Sequence, residues 1–196
     1  RPVMAATPVR AAPPDLRLHE SDVALRGVFT ISFPSHDSLD DALVSRGYSA
    51  TNAALGVEFA LTYRAVWWLF LGARAGSRWR TLAPAFGGRA SERVHVSGTD
   101  LLAVAELRIP LGTVELTPDV AVGLAYAEVV QGEGSVARAA PRLSLGASFS
   151  LWLSDPLRVV ARVAWDLYPV IDVNRFGHDI ELGGPSLEIG LEWRPR

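Results

Sequence analysis

The chain has 196 residues, a formal net charge of −2 and an apolar fraction of 49%. This length suits one domain with a short tail, and the near-neutral charge gives no electrostatic reason to expect a nucleic-acid partner. The absence of Cys excludes disulfide bonds, Cys-ligated zinc and thiol catalysis. All 19 basic residues are Arg, so the chain lacks the Lys that water-exposed sheet surfaces usually carry.

The N-terminal segment is rich in proline, with Pro2, Pro8, Pro13 and Pro14 among Ala and Val. This composition predicts an extended tether over residues 1–20, followed by a single barrel domain over residues 21–196. No apolar run approaches the roughly 18 residues of a transmembrane helix, and no signal-peptide core is visible. We interpret the sequence as a processed mature chain or as a domain of a longer protein.

Beyond the tether, apolar residues recur with a period of two, which predicts β-strands. Each predicted strand carries apolar side chains on one face and small, hydroxyl or charged side chains on the other. Eight strands follow from this pattern, at about residues 23–33, 51–63, 67–79, 94–109, 114–126, 142–153, 157–168 and 186–193.

The predicted connections between these strands alternate in length. The longer ones cover residues 34–50, 82–93, 131–137 and 172–180, and the shorter ones lie near residues 64–66, 110–112 and 154–156. Such alternation is expected when the two rims of an up-and-down barrel face different compartments. The sequence therefore predicts an all-β fold, an eight-stranded antiparallel up-and-down transmembrane β-barrel.

The polar face distinguishes a membrane barrel, which is apolar outside, from a soluble barrel, which is apolar inside. It combines mid-strand glycines with charges of both signs, and a narrow eight-stranded lumen suits small and interlocking side chains. On a water-exposed sheet the same glycines would only weaken the strands. The predicted lumen charge network consists of Arg26, Glu58, Arg74, Arg78, Glu106, Arg108, Glu115, Asp119, Arg142, Arg158, Arg162, Asp166, Glu188 and Glu192.

The apolar face carries aromatic residues near both ends of the strands, as the two girdles of a lipid-exposed barrel do. An even number of strands places both termini at the short-turn rim, so the tether is predicted to be periplasmic. The predicted girdle residues are Tyr63, Trp67 and Trp193 at the short-turn rim, and Phe33, Trp79, Tyr126 and Trp165 at the long-loop rim.

From about Asp22 to Trp193 the chain resembles the small outer-membrane barrels of the OmpA/OmpX-like group. The resemblance rests on strand number, loop alternation, face chemistry and a last strand whose final aromatic resembles the signal read by the barrel assembly machinery. It implies a Gram-negative outer-membrane protein that contacts outer-membrane lipid or lipopolysaccharide, and the assembly machinery during biogenesis. Residues 194–196 follow the aromatic, which departs from that signal.

The lumen charges can be interpreted as a selective pore or as a paired network that plugs the barrel. A lumen this narrow favours the paired network, because buried charges must find partners. The sequence therefore predicts a non-enzymatic membrane anchor or scaffold without cofactor or metal, with residues 1–20 available to a periplasmic or envelope protein. A narrow passive channel and a soluble barrel holding an apolar ligand are the alternatives.

The pair His95 and Ser97 supplies a catalytic alternative. Its His-x-Ser spacing resembles that of outer-membrane lipid A deacylases, and both residues fall on the predicted lipid side. Such an enzyme also needs a carboxylate on that face, and Glu106, the nearest one downstream, is predicted to point inwards. His and Asp at positions 36–37 and 178–179 could meet at the long-loop rim, but their spacing is not diagnostic of a metal site.

Overall fold

The structure is a computed structural model that describes residues 22–33, 44–48, 53–83, 93–131, 134–167, 171–173, 178–180 and 183–195. No helix in these residues is long and apolar enough to cross a membrane. They contain eleven strands: β1 (Val23–Ser32), β2 (Ala54–Val66), β3 (Leu69–Leu82), β4 (Val94–Leu107), β5 (Ile109–Leu111), β6 (Val114–Gln131), β7 (Gly134–Ser154), β8 (Leu157–Leu167), β9 (Ile171–Val173), β10 (His178–Ile180) and β11 (Gly184–Trp193).

Eight of these strands close into one antiparallel ring, in the order β1-β2-β3-β4-β6-β7-β8-β11, with β11 paired back to β1. The short strand β5 pairs with β6, and β9 and β10 form a separate two-stranded sheet within the last long connection. The predicted eight-stranded up-and-down barrel is therefore confirmed.

The apolar face of the ring points outwards. Phe59 and Leu101, in the middle of their strands, are 66% and 65% exposed, whereas Arg74 and Glu106 on the opposite face are completely buried. A closed belt of exposed aliphatic and aromatic side chains is stable against lipid and unfavourable against water. The polarity predicted for a membrane barrel is thus the one observed.

The third predicted long connection, residues 131–137, is wrong. β6 continues to Gln131 and β7 begins at Gly134, so only residues 132–133 separate these strands, and the strict long–short alternation is not kept. Half of residues 127–140 are Ala or Val, and Gly and Gln interrupt them in the middle, so the alternation of a strand is weak here. In the structure these residues form the end of the β6–β7 hairpin. The hairpin continues towards the long-loop end beyond Leu143, the last residue of β7 that pairs with β8.

Two short turns are also displaced from their predicted positions. β2 continues through a register shift to Val66, so the turn consists of Trp67 and Trp68, and Trp67 does not belong to the third strand. Residues 109–111, partly predicted as a turn, form β5. The turn follows them at Gly112, whose φ of 77° is a left-handed conformation that glycine adopts without a steric penalty.

Prolines within the strands lie where a strand changes or loses a partner. Pro118 in β6 is next to the last residue that pairs with β4, and Pro141 in β7 is two residues beyond the last pair with β8. Since proline has no N–H to donate, it is tolerated where one neighbouring ladder is interrupted.

Glycines on the inward face allow neighbouring strands to approach closely. A Cβ added at Gly72, Gly123 or Gly190 would lie 2.0 to 2.1 Å from a carbonyl oxygen of the adjacent strand. At Gly146 it would lie 2.5 Å from Nη2 of Arg162, so this glycine leaves the space that the guanidinium occupies. The glycines are therefore part of the lumen packing.

Candidate functional site

The lumen is the largest polar cluster among the described residues, and it contains nine Arg and eight carboxylate side chains. All are buried except Arg78, which is half-buried. The fourteen charged residues predicted for the lumen lie there, and the structure adds Arg80, Asp100 and Arg194. We call the end of the barrel with the β2–β3 and β7–β8 turns the short-turn end, and the opposite end the long-loop end.

At the short-turn end, seven charged side chains form a connected group that we call the lower tier. Arg26 lies between two carboxylates, 3.0 Å from Glu106 and 2.9 Å from Glu192. The remaining members join them through the same carboxylates and Glu115. The lower tier consists of Arg26, Glu106, Arg108, Glu115, Arg158, Glu192 and Arg194.

Arg194 connects two carboxylates of the lower tier, although it follows the last strand. Its Nε donates to Glu192 at 2.5 Å, its other guanidinium nitrogens donate to Glu115, and its backbone N–H donates to the carbonyl of Pro156 at 3.0 Å. Burial lowers the pKa of Arg194, but the charges of Glu192 and Glu115 outweigh burial and leave the pKa above its ordinary value. Arg194, which follows the final aromatic Trp193 and so departs from the assembly signal, is thus bound inside the barrel.

Two aromatic side chains extend the lower tier. The guanidinium carbon of Arg108 lies 3.6 Å from the ring centroid of Phe70, and that of Arg158 lies 3.6 Å from the ring centroid of Trp152. Cation–π contacts of this kind are stronger when both groups are shielded from water. Phe70 and Trp152 belong to inward positions that the sequence pattern did not assign to the lumen.

In the middle of the barrel, five side chains from five strands form a continuous chain of ion pairs, the central tier. Glu58 is 3.0 Å from Arg74, and Arg74 is 3.0 Å from Asp119. Asp119 also receives Arg162 at 2.7 Å, and Arg162 reaches Glu188 at 2.6 Å. Because β2, β3, β6, β8 and β11 each contribute one residue, the central tier crosses the lumen.

Towards the long-loop end, an upper tier pairs two Arg with two Asp. Arg78 is 2.5 Å from Asp166, which also receives Arg142 at 2.8 Å, and Arg142 pairs in addition with Asp100. Arg80 lies two residues further along β3 and is buried. Taken with the other tiers, positive and negative charges are interleaved along the barrel axis and nearly balance.

Beyond the upper tier, an apolar cluster lies beside buried Arg80, which is paired in register with Val96, and the sequence pattern did not predict this cluster. Six inward-facing side chains of β3, β4, β6 and β7 pack with Tyr48, and half-buried Val136 packs against them. We call this group the loop-end layer; it consists of Tyr48, Leu82, Val94, Val96, Ala127, Val129 and Ala140.

The predicted girdle residues all lie on the outside of the barrel. Tyr63 and Trp193 are exposed near the short-turn end, and Trp67 lies in the β2–β3 turn itself. Four further exposed aromatics lie nearer the long-loop end: Phe33, Trp79, Tyr126 and Trp165.

His95 and Ser97 lie on the outer face of β4, near the long-loop end. His95 is exposed, and a hydrogen bond of 3.0 Å joins its Nδ1 to Oγ1 of Thr81. Ser97 is paired in register with Trp79 on one side and with Glu128 of β6 on the other. The sequence pattern missed Glu128, because the fifth predicted strand ends at residue 126 and only the β4–β6 register places this carboxylate opposite Ser97.

The remaining polar candidates are His36, Asp37, His178 and Asp179. His36 and Asp37 lie outside the described residues, and for residues 178 and 179 only the backbone of β10 is described. Elsewhere in the described part of the chain, no three His, Asp or Glu side chains come together as a metal site.

A closed antiparallel ring with an apolar exterior and a charged interior defines a transmembrane β-barrel of the outer-membrane type. Solved structures agree with this fold. Neisserial surface protein A matches 89% of this chain and 98% of its own length, with a TM-score of 0.63 and 11% identity. Ail of Yersinia pestis, in complex with a heparin analogue, matches 89% of this chain and 100% of its own (TM-score 0.55, 13% identity).

A major outer membrane protein of Thermus thermophilus matches 88% of this chain and 99% of its own, with a TM-score of 0.53 and 14% identity. Such low identities establish a shared fold and nothing about activity. No family model and no curated protein sequence matches the chain.

Proposed function

We propose that the protein is a non-conducting, non-enzymatic outer-membrane barrel that serves as an anchor or scaffold in the cell envelope. The central tier carries this proposal, since its ion pairs cross the lumen from β2 to β11. A selective pore presents rings of one charge sign to a water column. Here the guanidinium groups meet carboxylates inside the barrel, in three successive tiers.

Buried charges are costly unless they are paired, so the tiers stabilise the closed arrangement that they form. The direction of the chain supports a periplasmic position for both ends of the barrel domain. β1 begins and β11 ends at the short-turn end, and in barrels of this type that rim faces the periplasm. Residues 1–20 then lie on the periplasmic side, where they can bind an envelope protein, while lipid or lipopolysaccharide covers the outer face.

The conductance of the purified protein tests whether the lumen is closed. In planar bilayers we expect no steady conductance from the unmodified barrel. Removing the central tier with Arg74→Ala, Asp119→Ala and Arg162→Ala, in a chain that also carries Tyr48→Ala in the loop-end layer, should open a water-filled path and produce steady channels. The surface variant Arg138→Ala serves as the control, because Arg138 is exposed. Steady, ion-selective conductance from the unmodified protein would contradict the proposal.

A lipid-facing ester hydrolase is the second candidate, because Glu128 lies opposite Ser97 in the register. Side chains directly opposite in an antiparallel pair have Cβ atoms about 4.5–5.5 Å apart, and His95 is two residues from Ser97 on the same face. The register also pairs Ser97 with Trp79, a girdle residue, so the three groups lie at the depth of the membrane interface.

In such a site the Ser97 hydroxyl attacks an ester carbonyl while His95 accepts its proton and returns it to the leaving alcohol. Water then hydrolyses the acyl-enzyme. If this candidate is right, expression of the protein should remove acyl chains from lipid A, as mass spectrometry would detect. His95→Ala, Ser97→Ala and Glu128→Ala should each abolish the change, and Thr99→Ala on the same face should not. An unaltered lipid A profile on expression eliminates this candidate.

A further inference from the structure

The polarity of the barrel wall reverses at the long-loop end. Below the outer girdle, apolar side chains face outwards and charged ones face inwards. At the level of the loop-end layer, Thr81, His95 and Glu128 face outwards, whereas Val94 and Val129 are buried inside. A wall that is polar outside and apolar inside is suited to water or to lipid headgroups, so this part of the barrel lies outside the hydrocarbon and needs its own core.

Tyr48 completes that core from outside the ring of strands. It is only 5% exposed and packs into the loop-end layer, although its neighbours Val44, Ser45 and Arg46 are exposed. The backbone directs it there. Gly47 has a φ of 89°, and its N–H donates to the carbonyl of Val44 at 3.0 Å. A side chain at position 47 would disfavour this left-handed turn, which aims Tyr48 inwards.

We propose that Tyr48 latches the loop-end layer into a hydrophobic seal, which closes the lumen independently of the ion-pair tiers. Apolar constrictions block ions because water leaves them. The barrel then has two barriers in series, an apolar one at the long-loop end and a charged one below it. This inference rests on the proposed non-conducting barrel and assigns its outer closure to Tyr48, which lies between β1 and β2 in the chain and outside the ring of strands.

The absence of Cys from the sequence allows single reporter thiols to test the seal. Ala125 is inward-facing and 2% exposed. It lies two residues before Ala127 of the loop-end layer, on the side towards the upper tier. Ser148 is 1% exposed and lies deeper, opposite Arg162 of the central tier. Each is replaced by Cys, with Ser135→Cys near the exposed end of the β6–β7 hairpin as the positive control, and labelling by a charged maleimide is followed by mass spectrometry.

With Tyr48 present, we expect the Ala125→Cys and Ser148→Cys variants to be protected and the Ser135→Cys variant to react. Adding Tyr48→Ala should raise the labelling rate of the Ala125→Cys variant at least tenfold, while the Ser148→Cys variant stays protected by the tiers. Gly47→Val, which misdirects Tyr48 without truncating it, should act in the same way. Tyr48→Phe keeps the ring and should preserve protection.

Two failures are distinguishable in this experiment. If neither Tyr48→Ala nor Gly47→Val changes the labelling of the Ala125→Cys variant, the seal does not exist and the closed tiers remain supported. If the Ser148→Cys variant reacts while Tyr48 is intact, the tiers do not close the lumen and the proposed function fails. Heat-modifiable gel mobility confirms that each variant has a folded barrel before labelling.

Discussion

Arg162→Met is expected to lower the free energy of unfolding by about 3–5 kcal/mol, the usual effect of removing one partner from a buried ion pair. Arg162 holds the central tier together. Its Nε and Nη2 donate to the two oxygens of Asp119 at 2.8 and 2.7 Å, and its Nη1 donates to Glu188 at 2.6 Å. Met retains much of the side-chain volume but leaves both carboxylates buried without this cation.

Urea unfolding in lipid vesicles, followed by tryptophan fluorescence, measures the loss for Arg162→Met. Arg138→Met is the matched control, because Arg138 is exposed and should contribute less than about 0.5 kcal/mol. Adding Glu188→Gln to Arg162→Met should restore part of the stability, because it removes one of the uncompensated charges. A loss below about 1 kcal/mol for Arg162→Met would mean that water solvates the central tier and that the lumen is not dry.

Leu101→Arg is expected to destabilise the barrel by about 2–4 kcal/mol, the effect of an Arg facing lipid near the midplane of a bilayer. Leu101 is 65% exposed and points outwards. It lies level with Phe59 in the middle of β2, because both residues are paired in register with Ala75 of β3. The guanidinium would have to remain in the hydrocarbon or stretch towards an interface, and both are unfavourable.

His95→Arg is the matched control for Leu101→Arg, because both side chains point outwards from β4 but at different depths. At the loop end we expect a cost of about 0–1 kcal/mol, since Arg there reaches water or headgroups. The two variants are compared by urea unfolding in vesicles of one lipid composition. Equal costs would argue that the exterior is not covered by hydrocarbon between these two positions, and the membrane assignment would have to be abandoned.

Much of the lumen could be predicted from the sequence, because successive side chains of a strand point to opposite faces whatever the tertiary structure. Once Arg26 and Val23 are placed in one strand, their faces follow. The sequence pattern predicts the ends of the strands less well than their faces. Ala and Val occupy both faces in residues 127–140, so the sequence predicts a loop at residues 131–137 where the structure has the end of the β6–β7 hairpin.

The partners of the lumen charges could not be predicted, since they depend on the register around the closed ring. Arg26 and Glu192 are separated by 166 residues and meet because β11 pairs with β1. The same holds outside the barrel, where Glu128 comes to lie beside Ser97 through the pairing of β4 with β6. A shift of one register step would give every charge a different set of neighbours.

The sequence by itself determined the strand class and the two faces, because these depend on local alternation, and the charged, glycine-rich face indicated that the apolar face lies outside. Only the tertiary structure decided how the charges divide into three tiers, and that Arg194 binds inside the lumen. It also decided that Tyr48 caps an apolar layer above the charges. The physical reason is that closing the ring, unlike forming a strand, brings together residues whose separation along the chain carries no signal of contact.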